Sequence, residues 1–111
     1  MFHDGHISVR SRALMDVAEE RERQIAVENY TSHTDDRYSS GELIRAGLSY
    51  AQHAASGDRS RSFTFPKSWP WSLKFWKPST RRRDLVKAAA LLIAEIDRMD
   101  REEVARHAGD D

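Results

Sequence analysis

The sequence predicts a mainly α-helical fold: a compact three-helix domain with a long aromatic-rich crossover between the second and third helices. Three observations carry this. Apolar residues recur at helical spacing in three separate stretches. Capping and turn-forming residues divide those stretches. Between the second and third, six of the ten aromatic residues fall within positions 63–76.

The first helix is expected over residues 9–29, behind a flexible tail at 1–8 that carries His3 and His6. Leu14, Val17, Ala18 and Ile25 recur on one side, while Glu19, Glu20, Arg21, Glu22 and Arg23 crowd the other. Its apolar stripe is thin, so it needs a partner. Residues 30–37 then form a polar connector whose short side chains bond their own backbone.

The second helix is expected over 39–56, with Ser39 and Glu42 at capping-box spacing and Gly57 as the terminating residue. Its small residues Gly47, Ala51 and Ala54 permit close helix approach, and His53 reads as an exposed helix residue. The crossover spans 57–79. Ser62 to Phe65 alternates like a short strand, Pro66 and Pro70 confine the path to an edge or an extended course, and Trp71–Trp76 has room for one helical turn. The third helix is expected over 80–107, capped by Ser79 or Thr80. Leu85, Ala88, Ala89, Leu92, Ile93, Ile96 and Met99 keep its 3.6-residue period and read as the core stripe. Leu92→Ala would cost about 2–5 kcal/mol if that stripe is core.

A chain of 111 residues makes one domain, 1–111. Eighteen basic and eighteen acidic residues cancel, which argues against a general nucleic-acid coat protein and favours self-association. A homo-oligomer is expected, formed through the small-residue faces of the second and third helices. The chain has no cysteine, so it forms no disulfide and no Cys-based zinc site. No apolar run reaches the roughly 20 residues that span a bilayer, and residues 1–10 lack a signal-peptide core, so a cytoplasmic protein without membrane contact is expected.

Arg81, Arg82 and Arg83 open the third helix, where the macrodipole is already positive and acidic residues are favoured. One reading is a solvated basic cluster neutralised by Asp35, Asp36 or the glutamates of the first helix. The other is an anion site: free backbone N–H groups, bidentate guanidinium donors, and aromatic rings immediately upstream. On that reading Arg81, Arg82, Arg83 and Lys87 hold phosphates and Trp69, Trp71 or Trp76 stacks a base. His33, Asp35 or Asp36 then contacts ribose or base edges. The aromatic segment also reads as a mini-core. His33 with Asp35 and Asp36 makes a polar turn rather than a metal site, and no cofactor is expected. Glu19 with Glu22, and Asp97 with Asp100, resemble in part the acidic pairs of the all-α NTP pyrophosphatases of the MazG type, the second as D-x-x-D where that family has E-x-x-D. The pattern favours a binding protein over an enzyme.

Glu20-Arg21-Glu22-Arg23-Gln24, His33-Thr34-Asp35-Asp36, Gly41-Glu42-Leu43, Trp69-Pro70-Trp71, Trp76-Lys77-Pro78 and Arg83-Asp84-Leu85-Val86-Lys87-Ala88 together resemble the small uncharacterised accessory proteins of bacteriophages and prophages. The resemblance covers roughly residues 16–101. It departs at Glu28–Thr31, where that pattern has a glycine-tryptophan pair before the threonine. What it implies is a phage-encoded inhibitor of bacterial anti-phage defence, acting in the infected host's cytoplasm. The inhibitor would sequester a nucleotide-type signalling molecule, or alternatively bind a host defence protein directly; the acidic pairs leave a MazG-like metal-dependent nucleotide pyrophosphohydrolase as a separate alternative.

Overall fold

A computed structural model describes residues 10–27, 35–56 and 66–109. Within them lie three α-helices, α1 (Arg12–Val27), α2 (Glu42–Ser56) and α3 (Arg81–Gly109), with a 3₁₀ turn at Leu73–Phe75 between α2 and α3. The described residues hold no strand, and the domain is mainly α. The tail, His33, Gly57 and the strand expected at Ser62–Phe65 lie outside the described residues.

Local chemistry sets each helix start. Ser11 caps α1: its Oγ accepts the Leu14 N–H at 3.1 Å. Glu42 reaches back to the Ser40 N–H at 2.8 Å rather than closing a box with Ser39. Gly41 stands before α2 at φ +85°, a left-handed conformation that delays the helix to Glu42. No atom lies within 4 Å of a Cβ built there, so Gly41→Ala meets only backbone strain, about 1 kcal/mol. Thr80 caps α3, its Oγ1 accepting the Arg83 N–H at 3.1 Å.

α3 is the spine against which both α1 and α2 pack. The core forms where α2 meets α3 under the crossover: Leu43, Ala46 and Tyr50 against Ala88, Leu91 and Ala94, closed by Trp69. Gly47 brings the two helices close, since a Cβ there would stand 3.2 Å from the Ala88 carbonyl oxygen and 3.2 Å from Leu92 Cδ2. The crossover is tied to α2 by hydroxyls, with Ser49 and Ser68 2.7 Å apart and Ser68 donating to Gln52 Oε1 at 2.9 Å.

The face of α3 that packs inward is not the continuous apolar stripe. Leu85, Leu92, Ile93, Ile96 and Met99 are all exposed, at 49, 42, 38, 56 and 54%. The buried face carries Asp84, Val86, Ala88, Ala90, Leu91, Ala94, Glu95 and Arg98. Small residues there let the helices approach, and charged ones are matched by partners. Arg98, for example, holds Glu95 at 2.6 Å and Glu102 at 2.7 Å. The small-residue faces of α2 and α3 therefore meet within one chain and are not free to join copies. Leu92→Ala is correspondingly expected to cost about 1 kcal/mol in the single chain rather than a full core penalty. Among the described residues no helix is long and apolar enough to cross a membrane.

Candidate ligand-binding site

Tyr50, on the inner face of α2, is the hub of the aromatic crossover. Trp76 lies 4.7 Å from it between ring centroids and Trp69 5.6 Å edge-on. Trp69 also meets Trp71 at 5.4 Å and Trp76 at 5.0 Å, and Tyr38 extends the chain of rings through Trp71 at 5.1 Å. Trp69 is only 7% exposed and its indole N–H donates to the Ser72 carbonyl at 3.1 Å. With three rings already against it, Trp69 is a core residue, and the tryptophans with accessible surface are the half-buried Trp71 and Trp76.

The arginines that open α3 are answered across the chain by carboxylates. Arg82 donates to Asp16 Oδ2 at 2.8 Å, and Arg83 to Glu20 Oε1. Arg23 grips the same Glu20 carboxylate with two bonds of 2.7 and 2.8 Å. Asp16 and Glu20 sit one turn apart on α1 and face this end of α3, which is why a positive helix terminus tolerates the cluster. Asp84, in α3's own first turn, is fully buried. Its Oδ1 accepts the Ser79 N–H at 2.7 Å and its Oδ2 the His53 Nδ1–H at 2.6 Å. Lys87 donates to the Lys77 carbonyl at 2.6 Å and lies over the Tyr50 ring at 5.4 Å. Arg81 is exposed and engages no carboxylate among the described residues.

These placements set the electrostatics. Burial pushes the Glu20 carboxyl up, but Arg23, Arg83 and the Gln24 amide outweigh it, and the group titrates below its ordinary range. Burial also pushes Lys87 down, opposed by Glu20 and Asp84 and reinforced by Arg23 and Arg83. Since the folded-state value of Glu20 is depressed, its ionised form contributes stability above the unfolded-state value. That contribution disappears as pH falls through the lower folded-state value. Glu20→Gln is thus expected to be less stable than the native chain at neutral pH, with the gap closing in acid below the ordinary carboxylate range. Urea unfolding at a series of pH values measures it, and a gap that persists into strong acid would contradict the assignment.

The residues named from the sequence do not all come together. Asp35 is fully buried, its Oδ2 held by Arg21 at 2.6 Å, and burial raises its carboxyl above the ordinary value despite Arg21. Asp36 binds Arg101 at 2.8 and 3.0 Å. Arg101 follows Arg81 by 20 positions, about 30 Å along the helix axis. Asp35 and Asp36 thus belong to the other end of α3, beside a small cleft of about 220 Å³ lined by Asp36, Arg98, Arg101, Glu102 and Ala105. His33 lies outside the described residues.

His53, read from the sequence as a plain surface residue, takes a position at the aromatic end instead. Its ring meets Trp76 edge-on at 5.9 Å, and Asp84 fixes its Nδ1, leaving Nε2 as the remaining polar atom of the ring. Its spacing of three from Tyr50 puts both on one face of α2, the signal that could have marked it. Glu19, Glu22, Asp97 and Asp100 are all exposed. No group of three or more His, Cys, Asp or Glu among the described residues is arranged to hold a metal ion.

One end of the molecule thus combines Trp76, His53, Lys87, three arginines and a helix N-terminus. Comparison with known proteins yields no match to this chain: no family model, no curated protein and no solved structure.

Proposed function

We propose that the chain is a phage-encoded inhibitor of bacterial anti-phage defence that binds a nucleotide-type signalling molecule and holds it uncleaved. It would work in the infected host's cytoplasm as an assembly of identical chains. The observation that carries the ligand reading is a local imbalance of charge. Around the first turns of α3, Arg23, Lys77, Arg81, Arg82, Arg83 and Lys87 stand against Asp16, Glu20 and Asp84, in a chain whose net charge is zero. The excess adds to the positive end of the helix dipole and favours a compact anion such as a phosphate.

Arg81 and Arg82, the more exposed of the arginines, would meet phosphate first, with Arg83 and Lys87 behind them. Trp76, or Trp71, would stack a base, and His53 Nε2 would take the ribose or base-edge contact. The resemblance to phage and prophage accessory proteins supports the biological setting.

A second reading, direct capture of a host defence protein, is favoured by Leu73 and Phe75, exposed at 53 and 47% on the 3₁₀ turn beside Trp76. A thermal-shift screen of mononucleotides, cyclic oligonucleotides and ADP-ribose derivatives separates the two. A ligand at about 100 times its dissociation constant adds about 2.7 kcal/mol of stability, enough to raise Tm by several degrees. A Tm rise with the ligand recovered intact supports sequestration. A rise accompanied by product supports hydrolysis. No rise with any class turns the account to the protein partner.

A further inference from the structure

We propose that the exposed apolar face of α3 is an interface with a second copy of this chain, the two α3 helices packing antiparallel about a two-fold axis at Leu92. This specifies the assembly named above. Its apolar contacts stand whether or not the chain binds a nucleotide, while a phosphate and the partner's carboxylates would compete for Arg81 and Arg82.

The face is defined by Leu85, Leu92, Ile93, Ile96 and Met99, which together leave on the order of 400 Å² of apolar surface to solvent per copy. Standard interfaces use about 800 Å² per partner, so this face supplies roughly half of one, the size of a weak or transient dimer contact.

The ends of the face say which partner fits. At about 100° per residue, Arg81 and Arg82 fall within about 60° of the stripe's centre at its beginning. Asp100 and Glu103 fall within the same arc at its end. All four are exposed, although Arg82 also pairs with Asp16 and Glu103 lies 3.7 Å from His107 within the same chain. The face therefore runs from positive to negative along α3.

Two copies laid antiparallel at Leu92 set Leu85 against Met99, Arg81 against Glu103 and Arg82 close to Asp100. A parallel pair would set Arg81 on Arg81 and Glu103 on Glu103. The pattern is self-complementary in the sense that a two-fold axis requires. Zero net charge leaves no overall repulsion to oppose it.

The absence of cysteine makes the geometry testable by thiol cross-linking, since only an introduced thiol can react. With a thiol oxidant, Leu92→Cys is expected to give a covalent dimer. Leu85→Cys alone is not, because its copies stand about 21 Å apart along the helices. Mixed with Met99→Cys, it should cross-link as a heterodimer. Ile96→Glu places a charge on an already exposed position. It should keep the helical circular dichroism spectrum while shifting the light-scattering mass at 100 μM from twice the chain mass to one. Self-cross-linking of Leu85→Cys as efficient as that of Leu92→Cys would overturn the antiparallel register. A native chain that is monomeric at 100 μM, or an Ile96→Glu variant that stays dimeric, would overturn the interface itself.

Discussion

Asp84→Ala is expected to destabilise the folded chain by about 3–5 kcal/mol, the range found when one partner of a buried ionic or charge-assisted pair is removed. Asp84 has no exposed surface, and its two oxygens serve different elements: Oδ1 holds the crossover at Ser79 and Oδ2 holds α2 at His53. Truncation strands the Ser79 N–H and frees the His53 ring beside Trp76. Domains of this kind have total stabilities of about 5–15 kcal/mol, so the variant should melt far below the native chain. Asp84→Asn keeps the volume and one acceptor oxygen, and should lose roughly half as much. Urea denaturation of both variants checks this, and a loss under about 1 kcal/mol for Asp84→Ala would remove Asp84 as the joint between crossover and helices.

Trp69→Ala is expected to cost a comparable 3–5 kcal/mol, since it removes the buried ring that closes the core over Tyr50, Leu43 and Leu91. Trp76→Ala, at a half-buried ring, should cost about 1–3 kcal/mol. The comparison matters for function. If the aromatic segment serves only the core, the losses follow burial and nothing else changes. If Trp76 also stacks a base, its removal should weaken nucleotide affinity by a further 1–3 kcal/mol, or roughly 5- to 150-fold. Trp69 admits no such test, because its removal disturbs every ring around it.

The helices and the crossover were legible because their signals are local. Capping residues and a 3.6-residue apolar period mark where the helices start, and the three begin at Arg12, Glu42 and Arg81, three, three and one residues after the expected positions. The delayed start at Glu42 traces to the left-handed Gly41, whose conformation periodicity does not reveal.

Which face of α3 turns inward was not legible. A stripe of Leu85, Leu92, Ile93, Ile96 and Met99 shows that a helix is amphipathic, but not whether its own chain or another copy covers it. The opposite face, with Asp84, Glu95 and Arg98, looks solvated until its partners are placed. Arg98 finds its partners Glu95 and Glu102 on its own helix, but the partners of the opening arginines are distant: Arg82 and Asp16 are 66 positions apart, Arg83 and Glu20 are 63. Any of several carboxylates would have satisfied the arginines on paper. The sequence points to the glutamates of the first helix among the alternatives; Glu20 does meet Arg83, but Arg82 is answered by Asp16, which that reading does not name. By the same limit, Asp35 and Asp36 looked like neighbours of the arginines and instead belong to Arg21 and Arg101.

That pairing changes how the arginine site must be probed. Arg83 shares the buried Glu20 with Arg23, so replacing it disturbs the fold along with any site. Arg82 forms a half-exposed pair with Asp16, worth at most about 1 kcal/mol, and Arg81 forms none with a carboxylate among the described residues. The most direct measurement is therefore calorimetric titration of the best nucleotide from the thermal-shift screen into the native chain and into the Arg81→Gln/Arg82→Gln variant, at low and high salt. The account predicts a variant whose Tm stays within a few degrees of the native value but whose affinity falls at least tenfold, and native binding that weakens as salt rises. Equal affinities for the two chains, unaffected by salt, would contradict it.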